Sequence, residues 1–308
     1  MQTLRAVPGV DDLIRKVLAV LGGERGIRLL FQGNAVRAGT TQFPRLWQLH
    51  TEVATTFDWP TVPELYVSQT PFFNAGAYGI EAPFIVVHSA AIELLDDDEL
   101  RVLLAHETGH VISGHALYHT IAAILAMMSL GALPVLASIA VLPIRLAFLE
   151  WSRKSELSAD RAGLLGSQDI LVAQRLDMKM AGGGRGAAFA DQLDVEAFMR
   201  QAHEYANTAE GLDIIYKLLG TLALTHPMHT VRAAELQKWM ASGEYDRILR
   251  GEYTRRGTET KERPLKDDMA AAGAYYAGEA RELASQVAEV ARRAATSARE
   301  AFRNAQKP

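Results

Sequence analysis

Two histidines four positions apart constrain the fold of this chain more than any other feature. The sequence from His106 to His110 reads H-E-T-G-H. On a helix, residues four apart lie on one face, so both imidazoles can bind one metal ion. Glu107 lies beside them, where its carboxylate can act on a water molecule. Two imidazoles leave a metal ion incompletely bound, so the fold must bring a third ligand from another part of the chain.

The residues around this motif predict a buried helix. The acidic run from Asp96 to Glu99 precedes it and supplies an N-terminal cap with favourable charges for the first turn. Leucine and valine then recur on both sides of the motif. The alternative is a surface helix with two solvated histidines, but the flanks are too apolar for a solvated helix.

Composition narrows the kinds of site that this chain can build. Its 308 residues include no cysteine, which leaves histidines and carboxylates as the plausible metal ligands. A hydrophobic content of 49% is typical of a globular protein with a sizeable core. The net charge of -4 argues against nucleic-acid binding. Residues 1–20 contain no apolar segment of the signal-peptide type, so we expect a cytoplasmic or peripherally membrane-associated (monotopic) protein without a signal peptide.

Two downstream carboxylates, Glu156 and Asp160, are candidates to complete the metal site. They lie four residues apart and so share one face of a predicted helix. Glu156 could join His106 and His110 and leave a fourth position for water, which is the arrangement of catalytic zinc. Asp160 could accept the second ring N–H of a ligand histidine. Taken alone, the same pair would be interpreted as a solvated acidic face.

An uncharged run of 24 residues, 121–144, separates the two motifs. Its length suits one transmembrane helix, but a single crossing would place His110 and Glu156 on opposite sides of the bilayer. A helical hairpin over about 116–150 returns the chain to the motif helix instead. The apolar tip of this hairpin could pack on its own domain, pack in a homo-oligomer, or make a peripheral membrane contact through residues 121–144.

The remaining sequence predicts a mainly α-helical α+β domain over residues 1–252. The predicted elements are a strand at 27–31, a helix at 41–57, strands at 64–67 and 84–87, and helices over most of 191–250. Residues 253–267 are polar and predict a linker, and residues 268–308 predict a long alanine-rich helix. That terminal helix could form a coiled-coil seam, contact a membrane or pack on the catalytic domain.

Four motifs in a fixed order point to a known family. They are Asn74 to Gly79, His106 to His110 followed by His115, Glu156 to Asp160, and Thr225-His226-Pro227 with Arg232. Together they resemble the zinc metallopeptidase family that includes HtpX and the CAAX prenyl-protein endopeptidases, over about residues 40 to 240. The resemblance implies a zincin-type (gluzincin) catalytic domain with a small edge sheet and a long αα-hairpin.

The resemblance also implies a role for each motif. His106, His110 and Glu156 would hold one Zn²⁺ per chain, with Glu107 as the general base. His226 would be a second oxyanion donor, and its alternative role is to cap a helix before Pro227.

Further roles fall outside the metal-binding set. Arg232 would hold the His226 loop or pair with a site carboxylate. The segment Asn74, Ala75 and Gly76 would be a strand edge for substrate, and its alternative is an ordinary glycine-rich loop. His115 lies too far around a continuous helix to be a ligand, and His229 is expected to be solvated.

These patterns favour a zinc-dependent endopeptidase that acts on damaged or exposed polypeptides near a membrane. One alternative is a catalytically silent metallopeptidase-like module with a binding or chaperone role. Another is a soluble minimal gluzincin whose apolar hairpin is ordinary core.

Overall fold

A four-stranded mixed sheet lies between helices in the computed structural model of this chain. The structure describes residues 24–79, 81–117, 120, 152, 154–184, 189, 192–207, 228–253 and 292. The strands are β1 (Ala35–Arg37), β2 (Glu64–Ser68), β3 (Ala75–Tyr78) and β4 (Phe84–His88), in the order β1-β2-β4-β3. β2 and β4 are parallel, and the two outer pairs are antiparallel. β3 is therefore an edge strand of the described sheet.

Helices make up most of the rest of the described chain. They are α1 (Glu24–Asn34), α2 (Pro44–Thr56), α3 (Ser89–Leu94), α4 (Asp97–Ile112), α5 (154–167), α6 (Ile170–Gly182), α7 (Val195–Asn207), α8 (His229–Ala241) and α9 (Glu244–Leu249). The predicted helix at 41–57 and the strands at 64–67 and 84–87 match α2, β2 and β4. The mainly helical α+β class is confirmed. Within the described ranges, no helix combines the length and apolar character that a membrane crossing requires.

The alternating side chains of β2 and β4 build two separate apolar layers. Leu65 and Ile85 pack on one face, in the same core as residues of α2 and α4. Tyr66, Phe84 and Val86 pack on the other face against α1. Because successive side chains of a strand point to opposite faces, five-residue strands are enough to bury both faces of this sheet.

The predicted strand at 27–31 is wrong, because these residues lie within α1. Ile27 and Phe31, four residues apart, both contact the sheet layer around Phe84. Leu29 and Leu30 are exposed. This is the burial pattern of a helix lying on a sheet. In a strand, Leu29 would share one face with Ile27 and Phe31 and would be buried with them.

α4 begins at a complete capping box. The Asp96 carboxylate accepts from the backbone N–H of Glu99, and the Glu99 carboxylate accepts from the backbone N–H of Asp96. Glu99 is fully buried and also accepts from Arg175 and Lys179 of α6, at 2.8 and 2.6 Å. The start of the motif helix is thus tied to α6, as well as being capped.

The chain divides into two compact units. One comprises residues 11–207 and 224–253, and it contains all the elements above. The other comprises residues 1–10, 208–223 and 254–308, of which the structure describes only residue 292. The predicted hairpin tip at 121–144 lies outside the described residues, as does nearly all of the predicted linker and terminal helix. Those predictions stay predictions.

Candidate metal centre

Two neighbouring helices bring the motif residues together. α4 supplies His106 and His110, and α5 supplies Glu156, although 46 positions separate the second histidine from that glutamate in the sequence. The two histidine Nε2 atoms lie 3.1 Å apart, and each lies 3.4 Å from an oxygen of Glu156. All three side chains are buried. Their donor atoms all lie within 4.8 Å of one another. Among the residues that the structure describes, this group could hold one metal ion.

Small residues allow α4 and α5 to approach this closely. A Cβ added at Gly109, inside the motif, would lie 2.6 Å from the Cβ of Ala162. A Cβ added at Gly166 would lie 2.4 Å from the Cβ of Ala105. Real Cβ atoms do not approach to such distances, so the glycines set the spacing between the helices. We call this contact, formed by Ala105, Gly109, Ala162 and Gly166, the α4–α5 seam.

The donor set fits a zinc ion. Two imidazole nitrogens and one carboxylate, with room for a water, form the usual protein ligand set of catalytic zinc. Glu107, also buried, lies next to His106 in sequence and lines the same cavity. Its Oε2 atom has no hydrogen-bond partner among the described residues. A buried carboxylate oxygen without a partner is costly, so its position calls for a water molecule or substrate group.

His106 is oriented by a buried ionic pair. Its Nδ1 lies 3.0 Å from Asp160, and Arg232 of α8 donates from Nε to the other Asp160 oxygen at 2.9 Å. Burial raises the pKa of Asp160, but Arg232 and His106 outweigh it and lower the value to about 2. The Asp160 carboxylate therefore stays ionised and accepts the Nδ1–H of His106, which leaves the Nε2 lone pair for a metal.

The charge around His106 favours a cation. Burial lowers its pKa, yet the hydrogen bonds to Asp160 and Glu156 outweigh burial and raise the pKa to about 10. Surroundings that hold a proton so firmly also attract a divalent cation, which competes with the proton for the same nitrogen.

His110 has a partner that helical geometry does not predict. Its Nδ1 lies 3.2 Å from Nδ1 of His115, and the two rings meet edge to face. α4 ends at Ile112, and Gly114 then adopts the left-handed region with φ of +68°, which turns the chain back. Burial and the neighbouring His110 lower the pKa of His115 to about 4, so it stays neutral. His115 lies outside the candidate ligand group.

One cavity contains this cluster and the predicted strand edge. Asn74, Ala75 and Gly76 line it at the start of β3. His229 and Asp177 line it as well, and the sequence indicated neither. The expectation that His229 is solvated was wrong, because this side chain is about three-quarters buried and lies 3.3 Å from Asp177. Its position three residues before Arg232, on the same helical face, was the signal available in the sequence. His226 lies outside the described residues.

Comparisons with known proteins agree with this geometry. The chain is 36% identical over 250 residues to plastoglobule-localized metallopeptidase 48, chloroplastic, of Arabidopsis thaliana, covering 80% of this chain and 71% of that protein. It is 31% identical over 104 residues to a protease HtpX homolog of Tropheryma whipplei strain Twist, covering 31% of this chain and 35% of the homolog. No solved structure matches the chain.

The family assignment rests on the region that contains the whole cluster. The model of peptidase family M48 matches residues 40–240, more than half of the chain and the same span over which the four motifs occur. The resemblance to the HtpX group is confirmed by these matches. The chain therefore belongs to peptidase family M48 and is a metalloprotease.

Proposed function

We propose that this metalloprotease is a zinc-dependent endopeptidase of the gluzincin type, with one Zn²⁺ held by His106, His110 and Glu156. The observation that carries the proposal is the convergence of these three buried donors in one cavity with Glu107, whose Oε2 has no partner among the described residues. When bound, zinc lowers the pKa of a water molecule and polarises the carbonyl of the scissile bond.

The side chains around the ligands have distinct tasks in this proposal. Glu107 takes a proton from the attacking water and later delivers it to the leaving amine. Asp160, held by Arg232, keeps the ring of His106 in the tautomer that binds a metal. His226 is the proposed second donor to the developing oxyanion, by its place in the family motif.

The edge strand β3 provides a binding surface for an extended polypeptide. Asn74, Ala75 and Gly76 line the cavity at the start of this strand. A substrate strand can add to such an edge through main-chain hydrogen bonds, which read the backbone and little of the side-chain sequence. The proposed substrates are therefore unfolded or exposed polypeptide segments.

The direct test measures metal content and casein cleavage for the wild type and for Glu107→Gln. We expect about one zinc per chain in both proteins. The cleavage rate of the variant should fall by about 10²- to 10⁴-fold, because general-base catalysis supplies that much. The exposed Glu93→Gln serves as the matched control and should cleave like the wild type. Zinc-loaded wild type that cleaves no faster than Glu107→Gln would mean a silent binding module instead of an endopeptidase.

We also propose that the enzyme works in protein quality control near a membrane or lipid surface. Two observations support this role: the uncharged run at 121–144, and a relative whose name places it at plastoglobules. Flotation with phosphatidylglycerol-containing vesicles tests it. Binding should be lost in Leu133→Lys, near the middle of the run, and kept in the control Leu249→Lys, an exposed position on α9. If the two variants float equally, or if the wild type does not float, the proposed membrane role is wrong.

A further inference from the structure

A histidine–aspartate pair occupies the metal-site cavity without a part in the mechanism above. His229 is the first residue of α8, and its Nδ1 lies 3.3 Å from an oxygen of Asp177 on α6. Asp177 is 5% exposed, whereas about a quarter of the His229 side chain is exposed. Both line the cavity that contains His106 and Glu107. Asp177 is thus the buried residue of the pair, and His229 is the partly exposed one.

The buried aspartate fixes the orientation of the imidazole. Burial raises the pKa of Asp177, and Arg232 and His229 oppose that rise. Arg232 lies 3.8 Å from Asp177 but forms its hydrogen bonds with Asp160, so His229 is the nearer polar partner of Asp177. A carboxylate oxygen accepts, so the ring nitrogen that faces it, Nδ1, carries the hydrogen.

The opposite ring nitrogen is then available to a ligand. In the neutral tautomer with hydrogen on Nδ1, Nε2 presents a lone pair. Nε2 has no hydrogen-bond partner among the described residues. Since Nδ1 faces Asp177 and about a quarter of the side chain remains exposed, Nε2 is the ring nitrogen left for a molecule bound in the cavity.

The surrounding cavity wall explains why such an acceptor matters. Apart from this pair and the charged cluster around the candidate metal site, the helical lining is apolar. It is formed by Val102, Leu103, Ala173, Leu176, Met180 and Leu236. An extended polypeptide carries a backbone N–H at nearly every residue. An N–H that faces an apolar wall loses its water and needs a protein acceptor in exchange.

We propose that His229 is a substrate-contacting residue whose Nε2 accepts a hydrogen bond from a backbone N–H of the bound polypeptide. Asp177 is its positioning residue. The proposal rests on the proposed endopeptidase function and assigns part of its substrate site. The His229 side chain would add a contact with the substrate main chain to the contacts offered by β3. Substrate binding would thus again depend on the substrate backbone more than on its side chains.

The test separates binding from turnover. A fluorescent unstructured casein peptide is titrated onto Glu107→Gln protein, with and without His229→Ala, and binding is followed by anisotropy. We expect His229→Ala to weaken binding about tenfold, because one hydrogen bond at a desolvated site is lost. In the otherwise wild-type enzyme the same change should raise KM with little effect on kcat, which is the pattern of lost uniform binding. Zinc content should stay unchanged.

Two further variants and a control complete the experiment. His229→Gln keeps a side-chain acceptor and should restore part of the affinity, which a merely structural role would not predict. Asp177→Ser should weaken binding in the same direction as His229→Ala. His203→Ala on α7, an exposed histidine outside the cavity, should bind the peptide like the parent.

The possible failures are distinguishable. If the wild type cleaves casein but His229→Ala binds peptide as tightly as its parent, this inference is wrong and the proposed function stands. Loss of zinc or of the folded state in both His229 variants would also overturn it, because the role would then be structural. If the zinc-loaded wild type does not cleave casein, the proposed function itself fails.

Discussion

At the residue scale, the metal affinity of this site depends on how the imidazole rings are held. His106 is held by the charged Asp160, whereas His110 meets the neutral ring of His115 at 3.2 Å. One of two facing nitrogens must donate and the other accept. When Nε2 of His110 binds a metal, its Nδ1 carries the hydrogen and His115 accepts. His115 can thus stabilise the metal-binding tautomer of His110 from outside the candidate ligand group.

We expect His115→Ala to lower zinc affinity about tenfold, in line with losses measured for other residues that orient metal ligands. Competition with a chromogenic chelator measures the change without reference to catalysis. His115→Asn, which keeps an acceptor oxygen, should lose less, and His203→Ala should match the wild type. Equal zinc affinity in His115→Ala and the wild type would show that the contact is incidental.

A buried histidine outside the candidate metal site, His50, makes the free energy of unfolding depend on pH. His50 on α2 is fully buried, its Nε2 lies 2.9 Å from the Pro63 carbonyl oxygen, and burial lowers its pKa below 6.5. The folded state therefore keeps His50 neutral at a pH where the unfolded chain takes up a proton. Its contribution to stability is complete above pH 6.5 and is lost as pH falls from there toward the folded pKa. The loss is at most about 1.4 kcal/mol per pH unit.

His50→Gln should remove this part of the pH dependence. Gln can still donate to the Pro63 carbonyl but does not titrate. Urea unfolding of both proteins at about pH 7.5 and about pH 5.5 gives the comparison, in which other titrating groups cancel. We expect the wild type to lose more stability than the variant on acidification. An equal fall in the free energy of unfolding of the wild type and the variant would assign the acid sensitivity to other groups. The exposed His203→Gln controls for a general effect of losing a histidine.

At the element scale, the site depends on the spacing of two helices. The α4–α5 seam leaves no room for a Cβ at Gly109 or Gly166. A methyl group there must push apart the helices that carry His110 and Glu156. Overpacking of this kind costs about 1 to 3 kcal/mol, which exceeds the gain in helix propensity from glycine to alanine.

We expect Gly109→Ala to lower the free energy of unfolding by about 1 to 2 kcal/mol and to weaken zinc binding. Gly182→Ala is the matched control, because a Cβ at this helical glycine meets nothing within 4 Å. That change should be neutral or slightly stabilising. Urea unfolding and the chelator assay measure both effects. If Gly109→Ala is as stable as Gly182→Ala and binds zinc normally, the seam tolerates the extra volume.

Sequence patterns predicted elements well where the signal lies within the element itself. The capped start of α4 and the apolar runs of β2 and β4 are examples, since their signals are local. The strand prediction for residues 27–31 was wrong because Leu29 and Leu30 are apolar yet exposed. Their presence makes the segment mostly apolar, which is also typical of a strand. The contact of His115 with His110 and the place of Asp177 in the cavity were missed for another reason. Their roles depend on a chain reversal at Gly114 and on the packing of α6, and neither leaves a periodic trace.

At the scale of the whole molecule, the candidate metal site joins parts of the chain that are distant in sequence. Glu156 meets His106 and His110 across the segment that contains the run at 121–144. Arg232 of α8 adds a further connection through Asp160. A metal ion at this point closes a long loop in the folded state and binds the unfolded chain weakly. Metal binding and global stability should therefore be linked.

Removal of the metal should lower the melting temperature of the whole domain. At free zinc 100-fold above Kd, bound metal contributes about 2.7 kcal/mol. For a domain of this size, that corresponds to a fall of about 5 to 10 °C in Tm after chelation. Glu107→Gln should show the same fall, because Glu107 lies outside the candidate ligand group. His110→Ala should begin near the chelated value and change little. If EDTA leaves the Tm of zinc-loaded wild type unchanged, or lowers that of His110→Ala equally, these residues do not form the metal link between α4 and α5.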